Sequence, residues 1–269
     1  MNKCINFSAV PETAETTATI RDIQHFSIGD GEGIRTTVFF KGCNLYCPWC
    51  HNPETWSAVP QLLYYAQRCT RCGRCAAVCP CSAHRITADG NHVLLRERCR
   101  QCGTCAAACN AAALELCGRT MTVGQVMEDL LEDRDFYAAS GGGVTLSGGE
   151  ALLQADFCAE LAKQCSEEGV SVTLDTAACV PYTAFSKVIP YVQEVLFDLK
   201  AATQEQMQQT GGSLPLVLAN LERLVREDVR VRVRIPVIPA FNDTLQDARL
   251  LGVAIRQIGQ LPVELLPYH

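Results

Sequence analysis

Cys43, Cys47 and Cys50 stand in the spacing C-x3-C-x2-C. Close-set thiols of this kind are metal ligands when no leader directs the chain to an oxidising compartment. The N-terminus lacks the basic region and apolar stretch of such a leader. An iron–sulfur cube has four irons and takes four ligands, and structural clusters and structural zinc sites fill all four from the protein. Three cysteines leave one iron open. An open metal position is where a substrate binds and chemistry starts.

The chain carries two complete four-cysteine runs as well. Cys69-x2-Cys72-x2-Cys75-x3-Cys79-Pro80 is repeated by Cys99-x2-Cys102-x2-Cys105-x3-Cys109, with Asn110 in place of the proline. This is the bacterial four-iron ferredoxin pattern, in which each run lends its fourth cysteine to the other cube. The expected sets are therefore Cys69, Cys72, Cys75 and Cys109 for one cluster, and Cys99, Cys102, Cys105 and Cys79 for the other. Zinc is the alternative, but zinc ribbons use two C-x2-C pairs with a longer gap. Six further cysteines (Cys4, Cys81, Cys117, Cys158, Cys165 and Cys179) read as small buried apolar residues.

These motifs need a scaffold. The 269 residues, 48% of them hydrophobic, suit one α/β domain with a small insertion. The net charge of −6, with no Lys/Arg cluster standing out, argues against nucleic acid as a partner. No apolar run reaches membrane-spanning length. Residues 1–19 are polar, Thr-rich and aperiodic and are expected to form a mobile extension. Strands are expected at 34–40, 144–147, 170–174, 194–199, 229–235 and 263–266. Helical spacing at 123–131 and helices at 155–168, 181–190, 214–227 and 245–258 alternate with them. Such alternation implies a parallel sheet, doubly wound or barrel-like. Cys43, Gly148, Asp175, Lys200, Pro236 and His269 each follow a strand, and functional residues along one rim favour a partial (β/α)6 TIM-like barrel. Residues 20–60 and 119–269 would form it, and the Cys-, Arg- and Ala-rich stretch 61–118 would be an inserted ferredoxin-like domain. The chain stops directly after the sixth strand, so a piece of a longer protein is expected.

Cys43-x3-Cys47-x-Trp49-Cys50 resembles the cluster motif of radical S-adenosylmethionine (SAM) enzymes. More narrowly, Asp30-Gly31-Glu32-Gly33-Ile34-Arg35, Lys41-Gly42-Cys43-Asn44 and Cys50-His51-Asn52-Pro53-Glu54 resemble the glycyl-radical-enzyme activating enzymes. The resemblance runs from about Asp22 to His269 and includes the two-cluster insertion of one branch. Glu32 and Ala151 stand where that family usually has proline. The resemblance implies three [4Fe-4S] clusters, SAM bound at the open iron, and Trp49 packed on its adenine. It further implies a glycine-rich approach at Gly148 and Gly149, with Glu150 accepting from the SAM ammonium. Asp175, Thr176, Asp198 and the carbonyl of Leu196 would hold a monovalent cation, Lys200 would balance charge at the SAM tail, and Arg234 and His269 would contact SAM or substrate.

The expected function is an activating enzyme that installs a radical on a glycine of a large glycyl radical enzyme. The expected electron donor is a flavodoxin or ferredoxin, in an oxygen-poor cytoplasm. The insertion clusters would relay electrons or shape docking. The rivals are a radical SAM enzyme acting on a small molecule, an iron–sulfur electron-transfer protein and a zinc-binding structural protein.

Overall fold

The computed structural model describes residues 15–268, so His269 and residues 1–14 of the expected extension lie outside the described residues. The elements are β1 (Thr17–Ser27), β2 (Arg35–Phe40), β3 (Gln61–Tyr64), α1 (Arg74–Val78), β4 (His84–Ile86), β5 (His92–Leu94), α2 (Thr104–Ala107), β6 (Leu114–Cys117), β7 (Arg119–Thr122) and α3 (Val123–Leu131). They continue as α4 (Arg134–Ser140), β8 (Gly143–Gly148), α5 (Ala155–Glu167), β9 (Ser171–Thr176), α6 (Tyr182–Val188), β10 (Glu194–Asp198), α7 (Gln204–Gln209), α8 (Leu214–Arg226), β11 (Val231–Val237), α9 (Leu245–Ile258) and β12 (Val263–Pro267).

Eight strands form one sheet in the order β12-β11-β10-β9-β8-β2-β1-β7. The six expected strands are all present, mutually parallel, and each lies beside its predecessor in that set. There is no reversal of order of the kind that defines a doubly wound sheet. β1 and β7 extend the edge antiparallel. β1 begins at Thr17, inside the stretch expected to be a mobile extension. Its burial alternates only over Ala18 and Ile20, and Ile23 and Phe26 further on do not continue the alternation, so no period-two signal marks it.

The helices start where side chains satisfy their free N–H groups. Thr122 with Gln125, Thr203 with Gln206, and Thr244 with Asp247 form reciprocal capping boxes at α3, α7 and α9. The sheet's two faces differ in kind. Val38, Phe40, Leu146, Val172, Leu174, Val195, Phe197 and Val233 belong to the apolar core shared with Phe157 and Leu161 of α5, Phe185 of α6 and Leu221 of α8. Their alternates (Arg35, Thr37, Thr145, Ser147, Thr173, Asp175, Glu194, Asp198, Arg232 and Arg234) fall on the opposite face by the period of two. Most of these are buried as well. Parallel strands usually read apolar on both faces, so this polar face is the exception that positions chemistry.

Residues 61–117 make a self-contained unit. Gln61, where it starts, pairs with Cys117, where it ends, across the β3–β6 ladder. β4 and β5 form a separate hairpin. The unit's own apolar core is only Leu62, Cys105 and Leu114. So small a core stabilises a fold weakly, and groups ligated by the cysteines of this stretch would add to it. Chelating the metal is expected to release amide protection across residues 61–117 by at least tenfold while β8–β11 stay protected. Hydrogen exchange checks this, and unchanged protection in the unit would refute it.

Candidate active site

The loop after β2 carries the three cysteines. Backbone bonds staple it to its surroundings: Gly42 N–H donates to Thr55 O (2.7 Å), Cys43 N–H to Trp56 O (3.2 Å) and Tyr46 N–H to Thr210 O (2.8 Å). Asn44 Nδ2 donates to Cys179 O at 2.6 Å. The cysteines converge on one cavity whose wall also holds Ser147, Gly148, Gly149, Asp175, Thr176, Asp198, Lys200 and Trp56. The parallel registers Phe40–Gly148, Phe197–Thr176 and Asp198–Arg234 bring these strand ends to one rim.

Gly148 and Gly149 are dictated by packing. A Cβ on Gly148, at φ 112°, would meet Phe40 N at 2.2 Å, and one on Gly149 would meet Gly42 O at 2.2 Å. Bare backbone therefore forms this side of the cavity. Burial pushes the Cys43 thiol up to about 11 and raises Cys47, so only a bound cation makes thiolates of them here.

Glu150 does not line the cavity. It is 1% exposed and turned inward. Thr176 Oγ1 donates to both of its oxygens (2.8 and 2.9 Å), as do Leu152 N–H (3.2 Å) and Ala177 N–H (3.1 Å) to one each. These bonds tie the end of β8 to the end of β9. Burial outweighs them and raises the Glu150 pKa to about 7. The folded state thus holds its proton longer than the unfolded chain, and stability falls as pH rises from about 4.5 to 7. Glu150→Gln is expected to remove up to about 3 kcal/mol of that pH dependence. Urea titrations between pH 5.5 and 8 check this, and parallel curves for the two proteins would refute it.

Trp49 packs on Phe241, with centroids 4.2 Å apart, and Trp56 lines the cavity. The short turn Pro53–Thr55 returns Trp56 to the cysteines, and no spacing signal marked it. Thr176 is committed to Glu150, and its hydroxyl also accepts from Ala178 N–H at 2.9 Å.

The cavity wall includes an ionic group. Lys200 Nζ donates to Asp198 at 2.8 Å, and Arg234 lies 3.4 Å from Asp198 and 3.8 Å from Asp175. Ser147 donates to Asp175 at 2.6 Å. Burial raises Asp175 to about 6 against the pull of Arg234. Burial opposes the charge on Lys200, but Asp198 and Cys47 outweigh it and raise its pKa. Asp175 Oδ1 and Asp198 Oδ1 are buried without a hydrogen bond.

The glycine loop before β2 behaves unlike a proline-stiffened one. Glu32 pairs with Arg230 (2.7 Å) and Arg232 (3.3 Å) across the sheet. Asp30 accepts from Thr37 at 2.7 Å. Arg35, 2% exposed, donates to Thr145, Val144 O and Ser171 O beneath the loop.

In the 61–117 unit, Cys69, Cys72, Cys75 and Cys109 line one cavity, and Cys79, Cys99, Cys102 and Cys105 another. The two runs share a backbone: Gly73 and Gly103 have φ 75° and 74°, and Arg71 and Gln101 both have φ 58°. Ala83 N–H points at Cys79 Sγ (3.2 Å) and Ala113 N–H at Cys109 Sγ (3.3 Å). Sequence reasoning missed two features. His84 and His92, diagonal neighbours on the hairpin, bond ring to ring at 2.9 Å. Seven exposed arginines (68, 71, 74, 85, 96, 98 and 100) stand against Asp89, Glu97 and Glu115, a charge of +4 in residues 61–118. No ion pair forms to any of them among the described residues. The earlier reading, that no basic cluster stands out, holds for the whole chain but not for this unit.

Residues 37–251 match the family model described as the radical SAM superfamily. The chain is 42% identical to the benzylsuccinate synthase activating enzyme of Thauera aromatica over 93% of its length and 78% of that protein. It is 37% identical to the choline trimethylamine-lyase activating enzyme of Oleidesulfovibrio alaskensis, over 95% and 84%. It is 36% identical to the pyruvate formate-lyase 2-activating enzyme of Escherichia coli, over 98% and 82%. The chain belongs to the radical SAM superfamily. Within it, the branch is that of the activating enzymes of glycyl radical enzymes.

Proposed function

We propose that this protein binds SAM at a cluster held by Cys43, Cys47 and Cys50, cleaves it reductively, and takes a hydrogen atom from a glycine of a large partner enzyme. One observation carries the reading: among the described residues this cavity holds three thiols and no fourth, while one insertion cavity holds four and the other holds its expected four with Cys81 beside them. A three-thiolate cluster would supply an open iron and the electron that breaks the carbon–sulfur bond. The protein's own residues do the rest. Gly148 and Gly149 admit the ligand against bare backbone, and Lys200 sets a positive charge beside Cys47. Asp175, Thr176 and Asp198 offer oxygen ligands of the kind a monovalent cation takes, with the Oδ1 atoms of both carboxylates facing Arg234.

The parallel strands in unbroken order, with one polar face, support a partial (β/α)6 barrel that closes around this site. The two cavities, each gathering one expected set of four cysteines, and the repeated turns support a ferredoxin-like insertion with two more [4Fe-4S] clusters. The donor is a low-potential carrier such as a flavodoxin or ferredoxin, in an oxygen-poor cytoplasm. No helix among the described residues is long and apolar enough to cross a membrane.

The test is anaerobic. The reduced protein, mixed with SAM and the large enzyme encoded beside it, is expected to yield 5′-deoxyadenosine and a glycyl radical doublet by electron spin resonance. Cleavage of SAM without a protein radical would move the reading to a small-molecule substrate. Cys102→Ala with unimpaired turnover on a protein donor would remove the insertion from the electron path.

A further inference from the structure

The 61–117 unit holds one feature that neither cluster motif requires. His84 Nδ1 and His92 Nε2 are 2.9 Å apart, and the rings are stacked at 25° with centroids separated by 5.1 Å. The pair bridges the two cavities. His92 lines the one with Cys69, Cys72, Cys75 and Cys109, and His84 lines the one with Cys79, Cys99, Cys102 and Cys105. One nitrogen of each ring and Cys75 Sγ lie within 4.8 Å of one another. His84 is 6% exposed. The outer nitrogens, His84 Nε2 and His92 Nδ1, are buried with no hydrogen-bond partner.

A buried ring nitrogen left unmatched costs about 1–3 kcal/mol, so two of them side by side point to an acceptor supplied by what fills the cavities. A neutral imidazole has one N–H. Two neutral rings therefore carry two N–H protons, one of which is spent inside the pair. A single donor is left to face outward. Cys75 is the anionic acceptor beside the rings, and it selects the tautomer that turns an N–H of His92 toward it. His84 then donates its Nδ1–H to His92 Nε2 and holds that tautomer.

We propose that His92 donates a hydrogen bond to the sulfur of the cluster site built by Cys69, Cys72, Cys75 and Cys109, that His84 is the positioning residue that sets this donor, and that the pair thereby makes the two insertion clusters electrochemically unequal. This rests on the iron–sulfur reading of the insertion. Hydrogen bonds to cluster sulfur raise the reduction potential because they favour the more negative, reduced state. The unequal clusters give an electron arriving from a one-electron donor a defined resting place in the unit.

The experiment is a potentiometric titration of the intact, cluster-loaded protein, followed by electron spin resonance. His92→Phe is expected to lower the reduced-to-oxidised ratio of one insertion cluster about tenfold at fixed poise, with iron content and the other cluster unchanged. His84→Phe is expected to act on the same cluster, and His84→Asn, whose amide replaces the Nδ1–H donor, to restore it. Where a variant loses iron, pulsed resonance on wild-type protein with 15N-histidine replaces it, and a 15N and exchangeable-proton coupling to one reduced cluster is expected. Intact clusters with unmoved potentials, no histidine coupling, or a non-iron metal bound by Cys75, His84 and His92 would each overturn the proposal. Absence of insertion clusters from the wild type would overturn the iron–sulfur reading itself.

Discussion

Cys47→Ala is expected to reduce 5′-deoxyadenosine formation to the level seen without protein, and to lower bound iron by about four of about twelve per chain. The loop should survive the change. Its staples run through the backbone of Gly42, Cys43 and Tyr46 and the side chain of Asn44, and none uses the Cys47 sulfur. Cys50 N–H donates to the Cys47 carbonyl at 2.9 Å, a bond alanine retains. What is lost is one of three ligands at a site with no spare thiol. The insertion clusters, held by separate cysteines, should keep their iron and their spectra. Iron analysis beside product assay checks both halves. Residual SAM cleavage, or loss of all the iron, would sink the division of labour among the eleven motif cysteines.

Arg234→Met should destabilise the part built on the eight-stranded sheet by about 3–5 kcal/mol, the range for removing one partner of a buried charged group. Arg234, Asp175 and Asp198 have side chains only 12%, 14% and 16% exposed. Lys200 continues to face Asp198, so most of the loss falls on Asp175. Without the guanidinium, burial raises Asp175 further from its present value of about 6. A carboxyl whose folded pKa lies above its unfolded value is tolerated while protonated and costs stability as pH rises through the folded value. The deficit of the variant should therefore grow between pH 6 and 8. Adding Asp175→Asn should recover much of it, so the double variant is less damaged than the two single losses combined. Urea denaturation at the two pH values measures this. An equal deficit at both, with simple additivity, would show that Arg234 acts through packing alone.

The parallel strands were legible because apolar runs such as Thr36–Phe40 and Val195–Phe197 sit between helices with clear apolar spacing and capping threonines. β1 was not, since a strand whose burial alternates only over Ala18 and Ile20 leaves no period to read. The polar sheet face was in view as the alternation of Val231-Arg232-Val233-Arg234, but it takes cross-strand register to show that the arginines meet Glu194, Asp175 and Asp198. Motif spacing says which residues approach a site and not which way they turn. Glu150 follows Gly149 directly yet points inward, because Thr176, Leu152 and Ala177 offer three donors there. Trp56, which no motif marked, lines the cavity because a short turn, invisible in composition, folds it back. The histidine pair was hidden for a related reason: seven residues lie between two unremarkable histidines until the hairpin brings them together.

The seven unpaired arginines of the insertion bear on how the protein is assembled. A four-thiolate cube carries a charge of about −2 when oxidised. Two of them would cancel the +4 of residues 61–118. An empty insertion is thus a crowd of like charges around a core of three residues, and a filled one is nearly neutral. Each cluster delivered would relieve repulsion felt by the whole unit.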